Sequence, residues 1–273
     1  MQTIADVSGS SIAELVSLAG RGAVVTGGAR GLGKAIAVRL AEAGANVLIA
    51  DRLEELSRQA AQDLRSRYAG KFEHSVMDVK DSAAIRATAQ RAVDTFGSLD
   101  IWVNSAGIFP FAPIDEMADE LWDDVMAINV RGSLVGAREA SRQMIAGGKG
   151  GVIVNIASTA GFKGVSPGLS AYVSSKHAVR GMTKQLALEL APEGIRVLGV
   201  APTYCVTEGN TEAAEAALGG DKAAASEIAA MITSKLGRVG VPDDVARVVL
   251  FCASDMSMFM TGSTLLVDAG EVI

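Results

Sequence analysis

A doubly wound α/β fold, in which a seven-stranded parallel sheet carries helices on both faces, is what this sequence predicts, and three observations predict it. Seven short apolar runs fall at 23–26, 47–50, 74–77, 101–103, 152–156, 197–200 and 265–267. Between them lie segments of helical period, among them 32–43, 53–68, 83–96 and 170–190. A glycine-rich stretch, Thr26-Gly27-Gly28-Ala29-Arg30-Gly31-Leu32-Gly33, joins the first run to the first helix. Short strands that alternate with longer helices need crossover connections, and crossovers place neighbouring strands parallel.

The chain of 273 residues is long enough for one large domain. With 49% hydrophobic and 21% charged residues it has the composition of a folded globular protein, which excludes a disordered chain. The apolar runs continue to the C-terminus without a Pro- or Ser-rich linker, so residues 20–273 read as a single domain and 1–19 as an extension. Within the extension, Ser11-Ile12-Ala13-Glu14 has capping-box spacing ahead of Leu15, Val16 and Leu18, which predicts a short helix. Residues 203–236 break the alternation with Ala-rich sequence around Gly219-Gly220 and read as a helical substrate lid.

Charge and cysteine usage narrow the partners. A net charge of −6 without any cluster of Lys and Arg offers no footprint for a phosphodiester backbone, so nucleic acid is not expected. Cys205 and Cys252 have neither metal-ligand spacing nor a partner pattern, so both are expected as free thiols in a reducing cytoplasm, and no metal is expected. His74 and His177 read as structural or exposed. The N-terminus lacks a basic start followed by a long apolar stretch, and no run approaches the roughly 18 apolar residues of a membrane span, so a soluble, cytoplasmic protein is expected.

The glycine stretch has a chemical reading. Gly27, Gly31 and Gly33 permit a tight turn and a close backbone approach, and the amides of Gly31 and Leu32 open a helix, the arrangement that cradles a pyrophosphate. Asp51 ends the second strand, where an acidic residue meets the adenosine ribose hydroxyls in dinucleotide folds. Its carboxylate would repel a 2′-phosphate, whereas Arg30 and Arg52 would neutralise one. The ribose argument favours NAD, with NADP as the alternative.

Tyr172 and Lys176 stand four apart in a helical segment, which puts phenol and ammonium on one face. A phenol of ordinary pKa about 10 is a poor acid–base group at neutral pH unless nearby positive charge favours phenolate. The pair does not stand alone. The glycine cradle, Asn104-Ser105-Ala106-Gly107, Asn129, Asn155-Ile156-Ala157-Ser158 and Tyr172-Val173-Ser174-Ser175-Lys176 succeed one another in order, and from about residue 20 to the end the chain resembles the short-chain dehydrogenase/reductase family in its single-domain, Rossmann-type form. The tail, with Gly237-Arg238-Val239-Gly240, Pro242-Asp243-Asp244-Val245-Ala246 and Thr261-Gly262 before Val267-Asp268, is similar to the family too.

The resemblance implies that Tyr172 is the general acid–base, that Ser158 holds the substrate oxygen, and that Lys176 lowers the Tyr172 pKa and bonds the nicotinamide ribose. Asn129 would position a proton-relay water. It further implies that Asp78 and Val79 meet the adenine, that Asn104, Ala106 and Gly107 line the ribose, and that Pro202, Thr203, Cys205 and Thr207 border the nicotinamide. A homotetramer is implied as well. Asp78 has an equal claim as a turn or capping residue.

The chain departs from the family at several positions. Asn104-Ser105 stands where two asparagines are usual, Pro202-Thr203 where Pro-Gly is usual, and Asp268-Ala269-Gly270 where two glycines are common. A side chain at 203 is expected to strain the backbone if the family's glycine there has positive φ. Thr159 rivals Ser158 as the hydroxyl after the fifth strand.

An interconversion of a secondary alcohol and a ketone or aldehyde is therefore the expected reaction, with an NADPH-linked biosynthetic reductase of acyl-thioester carbonyls as an alternative. A non-catalytic dinucleotide sensor is a third reading, which the Asn129, Ser158, Tyr172 and Lys176 set opposes; a methyltransferase would leave Tyr172 and Lys176 unexplained. Phe109, Phe111, Phe162, Leu169 and Tyr204 predict an apolar wall for a small-molecule substrate, with Lys163 as a candidate anion contact.

Overall fold

The structure is a computed structural model that describes residues 4–217, 220–221 and 234–273. Strand β1 (Gly22–Thr26) is buried along its whole length and pairs in parallel with both β2 (Asn46–Asp51) and β4 (Ile101–Asn104). A strand shielded on both faces has no solvent side to mark with polar residues, which is why its sequence is a continuous apolar run. With β3 (Phe72–Val76), β5 (Gly151–Ile156), β6 (Ile195–Pro202) and β7 (Thr264–Val267) the sheet runs in the order β3-β2-β1-β4-β5-β6-β7, all pairs parallel.

Alternate strand residues feed two cores. Val25, Val47, Ile49, Ile101 and Val103 pack with Ile36 and Leu40 of α2 (Gly31–Glu42), Ala60 and Leu64 of α3 (Glu54–Arg67), and Val245 and Val249 of a helix at Pro242–Ala253. On the opposite face Val24, Leu48 and Trp102 pack with Ile85 and Ala89 of α4 (Ser82–Phe96), Val135 and Met144 of α6 (Ser133–Gly147), and Ala187 of α7 (Ser170–Leu190). The doubly wound expectation is met, with seven parallel strands. Strand order reverses between β1 and β4, and in open sheets of this kind the crevice beyond the carboxyl ends of the strands at such a point is where ligands bind.

The short helix α1 (Ile12–Val16) starts as its sequence requires: the Ser11 side chain accepts from the Glu14 amide, and the Glu14 carboxylate accepts from the Ser11 amide at 2.7 Å. The third strand differs from expectation. It runs Phe72–Val76 and not 74–77, because at this sheet edge Glu73 and His74 are only half-buried, and an apolar run is a poor marker for an edge strand. Of the expected lid, α8 (Glu208–Ala217) is described; 218–219 and 222–233 lie outside the described residues. The Pro242–Ala253 helix is α9, and α5 (Asp119–Val125) runs without a break into a π-helical turn, Met126–Gly132, and on into α6. Among the described residues no helix is long and apolar enough to cross a membrane.

Candidate active site

The carboxyl ends of the strands open onto a cleft of about 850 Å³. One end is built by the glycine turn. Gly27 has φ +65, and a Cβ there would stand 2.8 Å from the Ala106 Cα; a Cβ on Gly33 would stand 2.1 Å from the Gly27 carbonyl oxygen. Side chains at these positions would push apart the turn, the loop after β4 and the start of α2, so the glycines keep the backbone close to whatever the cleft holds. Thr26 fixes the same junction by accepting from the Ser105 and Ala106 amides at 3.0 and 3.1 Å.

At the N-terminus of α2 the cap residue Arg30 supplies no side-chain cap. The Gly31 amide instead donates to the Glu208 carboxylate at 3.2 Å, and a carboxylate at this position is a stand-in for an anion at a helix N-terminus. The residues thus fit a dinucleotide pyrophosphate. Asp51, 9% exposed, accepts from the Ala29 amide at 3.1 Å and the Leu53 amide at 3.0 Å, so its carboxylate is tied to the glycine turn. Arg52 beside it is exposed, and Arg30 pairs with Glu212 of α8. Asp78 and Val79 line the same end; the Asp78 carboxylate also accepts from the Lys80 amide at 2.8 Å, so it is a turn residue and a lining residue together.

Ser158, Tyr172 and Lys176 meet in the middle of the cleft. The Ser158 side chain neighbours the Tyr172 phenol and accepts from the Ala160 amide at 3.1 Å, by which the 3₁₀ turn Thr159–Gly161 aims it. Burial pushes the Tyr172 phenol up, and the nearby Ser158 hydroxyl works against that shift. The buried Lys176 ammonium lies 5.6 Å from the Tyr172 ring centroid and donates to the Ile156 carbonyl at 2.8 Å; desolvation pushes it down to about 8. Phe109 meets the Tyr172 ring edge to face, with centroids 6.0 Å apart.

Asn129 sits in the π-helical turn and is 1% exposed. Its side chain accepts from the Ile108 amide at 2.9 Å, donates to the Ile108 carbonyl at 2.8 Å, and donates to Ser175 Oγ at 3.0 Å. It therefore clamps the loop after β4 to α7 one turn from Tyr172. The wider turn brings the carboxamide to both partners, a local irregularity of the kind often found at functional sites.

The end of the cleft away from the glycine turn is closed by three loops and the tail. Phe109, Leu169, Thr203, Tyr204 and Glu271 line it. The Thr203 hydroxyl donates to the Glu271 carboxylate, and Lys163 pairs with the same carboxylate at 3.1 Å, so the candidate anion contact is already engaged. Phe162 lies outside the lining and stacks under the Arg180 guanidinium at 3.9 Å. Phe111 also lies outside it and covers Gly168, where a Cβ would come within 2.4 Å of the ring. Thr203 is not at positive φ; among the described residues Ala269, with φ 46, is the one non-glycine that is, so the strain expected at 203 falls at 269.

Most of the residues singled out in the sequence line this one cleft: Gly27, Arg30, Gly31, Leu32, Gly33, Asp51, Arg52, Ala106, Gly107, Pro202, Cys205 and Thr207 besides those already described. Asn104 does not line it. Its carboxamide accepts from the Trp102 indole at 2.7 Å and donates to the Ser133 carbonyl and to Asn155, which joins β4 to β5 and α6. Asp268 and Glu271 join the lining without a sequence signal of their own beyond the charge of a segment past the last strand. The Cys205 and Cys252 thiols are buried and unpaired, pushed up to about 11 and about 12 by desolvation. Among the described residues no three His, Cys, Asp or Glu side chains gather to hold a metal ion.

Residues 21–217 match the family model described as short chain dehydrogenase. The chain is 39% identical over 256 residues to 3beta-hydroxysteroid dehydrogenase 2 of Eggerthella lenta, covering 93% of this chain and 95% of that one. It is 35% identical over 253 residues to a 3-oxoacyl-(acyl-carrier-protein) reductase of Chlamydia muridarum, covering 93% and 98%. Among solved structures, a gluconate 5-dehydrogenase of Burkholderia cenocepacia in complex with NADP and tartrate superimposes with TM-score 0.84 at 36% identity, covering 95% of this chain and 98% of that one.

Proposed function

The chain belongs to the short-chain dehydrogenase/reductase family of oxidoreductases, and from that premise we propose that it interconverts a secondary alcohol and its carbonyl compound with NAD as the favoured coenzyme. The observation that carries the reading is the meeting of Tyr172, Ser158 and Lys176 in the same cleft as the glycine turn. The dinucleotide, when bound, supplies or accepts the hydride.

The residues of this chain do the rest. Tyr172 Oη gives its proton to the carbonyl oxygen in reduction and takes it back in oxidation. Ser158 Oγ, beside the Tyr172 phenol, holds that oxygen as negative charge develops on it. The Lys176 ammonium, 5.6 Å from the Tyr172 ring centroid, brings to the phenol the positive charge that phenolate needs, whereas burial by itself raises the phenol. Asn129 holds Ile108 and Ser175 in place, and Ser175 in turn donates to the Tyr172 carbonyl at 2.7 Å, so the acid–base residue is fixed from behind. Asp51 supports NAD, because a 2′-phosphate would bring a second anion to its carboxylate.

The test is a fluorescence titration with NADH and NADPH, followed by assays on a panel of secondary alcohols and ketones with the tighter coenzyme. Preferential NADH binding with turnover supports the reading. NADPH preference with turnover of acyl-thioester carbonyls would replace it by a biosynthetic reductase, the function named for the Chlamydia relative. Binding without turnover on any substrate would favour a dinucleotide sensor.

A further inference from the structure

Two carboxylates on successive turns of α8 face the glycine turn. Glu208 accepts from the Gly31 amide at 3.2 Å, and Glu212 pairs with Arg30 Nη1 at 2.5 Å. Arg30 is also bound electrostatically to the ribose end of the cleft. The residue before it donates its amide to Asp51 at 3.1 Å, and Asp51 adds to the negative potential at the guanidinium. A guanidinium so placed is the natural partner for a phosphate on the ribose, because it offers two parallel donors to phosphate oxygens.

We propose that Glu212 is a determinant of coenzyme choice, occupying Arg30 so that the guanidinium is withheld from a 2′-phosphate. The inference rests on the dinucleotide reading above and adds a second layer to the choice made by Asp51. A 2′-phosphate must break the Arg30–Glu212 pair to gain the guanidinium. A 2′-hydroxyl does not meet that cost. The side chains of the pair are 36% and 59% exposed, so the pair is solvent-screened and its breakage is a modest penalty rather than a block. Glu208 at the Gly31 amide has no such selectivity, since NAD and NADP present the same pyrophosphate.

The experiment compares wild type, Glu212→Gln, Arg30→Met and the double variant in titrations with NADH and with NADPH, read by nucleotide fluorescence at about 0.01 M salt, where surface charges are least screened. Glu212→Gln is expected to tighten NADPH binding about fivefold, the upper end of what an exposed pair is worth, with NADH changed by less than about twofold. In the Arg30→Met background the same substitution is expected to bring no selective gain. An equal change for both nucleotides, no change for NADPH, or a gain that survives loss of Arg30 would each overturn the assignment. If the wild type binds neither nucleotide, the dinucleotide reading itself falls, an outcome plainly different from binding with an unchanged preference in Glu212→Gln. Glu212 is exposed, and the substitution keeps its size, so the variant is expected to fold; its circular dichroism and Tm verify that before titration.

Discussion

The hydroxyl of Thr203 donates to the carboxylate of Glu271, tying the loop after β6 to the segment after β7, and Lys163 reaches the same carboxylate from the loop after β5. Three chain segments far apart in sequence thus share one polar knot at the end of the cleft away from the glycine turn. Glu271→Gln is expected to leave the Lys163 ammonium without its counter-charge, raising substrate KM several-fold while kcat stays near the wild-type value, because Tyr172 and Ser158 are untouched. A loss confined to kcat would refute this. Thr203→Val is expected to lower stability by about 1 kcal/mol, the net worth of one partly exposed hydrogen bond, read from the urea midpoint.

Replacing Tyr172 by Phe removes one oxygen from the cleft. Nucleotide binding is expected to persist, because the glycine turn and Asp51 remain, whereas turnover is expected to fall by about 10²–10⁴, the usual contribution of a positioned acid–base group. A variant that retains most of its turnover would remove Tyr172 from the mechanism.

Lys176 gives the fold a pH dependence. Burial pushes its ammonium down to about 8 from the usual 10.5, so between those values the native state binds fewer protons than the unfolded chain. Stability from this group therefore rises with pH across that window, and below pH 8 the fold bears the whole cost of a buried charge, roughly 3 kcal/mol. Lys176→Met is expected to stabilise the protein at pH 7 by roughly 1–2 kcal/mol, the gain being reduced by loss of the bond to the Ile156 carbonyl, and to abolish most activity. Urea denaturation at pH 7 and pH 10 checks it; a variant less stable at pH 7 would show that the ammonium is not a burden to the fold.

Ala269 holds a left-handed conformation, with φ 46, at a position where the family commonly has glycine. An L side chain there costs about 1 kcal/mol or more, partly balanced by the smaller chain entropy that alanine loses on folding. Ala269→Gly is expected to raise stability by about 0.5 kcal/mol or leave it unchanged, and a clear drop in Tm would show that the methyl group packs usefully against its surroundings.

The sheet and the centre of the cleft are legible in the sequence because both depend on local pattern. Strands shielded on both faces are apolar throughout, a glycine turn must lie between strand and helix, and a Tyr and Lys four apart must share a helix face. Features that depend on tertiary partners are not legible. Nothing local distinguishes Asn104 bridging two strands from Asn104 facing a ribose, and the choice is made by Trp102, Ser133 and Asn155 around it. Glu212 and Glu271 read as solvated charges until the fold sets Arg30 beside one and Lys163 beside the other. Edge strand β3 escapes an apolar-run reading because Glu73 lies within it, held there by Arg65 and Arg91.

The π-helical turn at Met126–Gly132 makes the site sensitive at the level of the gene. Such a turn carries one residue more than an α-helix of the same span, so loss of a single codon between 126 and 128 would let the helix close into regular α geometry while α6 keeps its packing. Because the wide turn absorbs its extra residue locally, the helices on either side would keep the faces they now present, and the change would fall on the residues of the turn itself. Asn129 would remain with the downstream part but lose the wider turn that brings its carboxamide to Ile108 and Ser175. The surrounding helices are expected to survive such a change, so a one-codon deletion is a short evolutionary route from this protein to a folded one that has lost the clamp behind Tyr172.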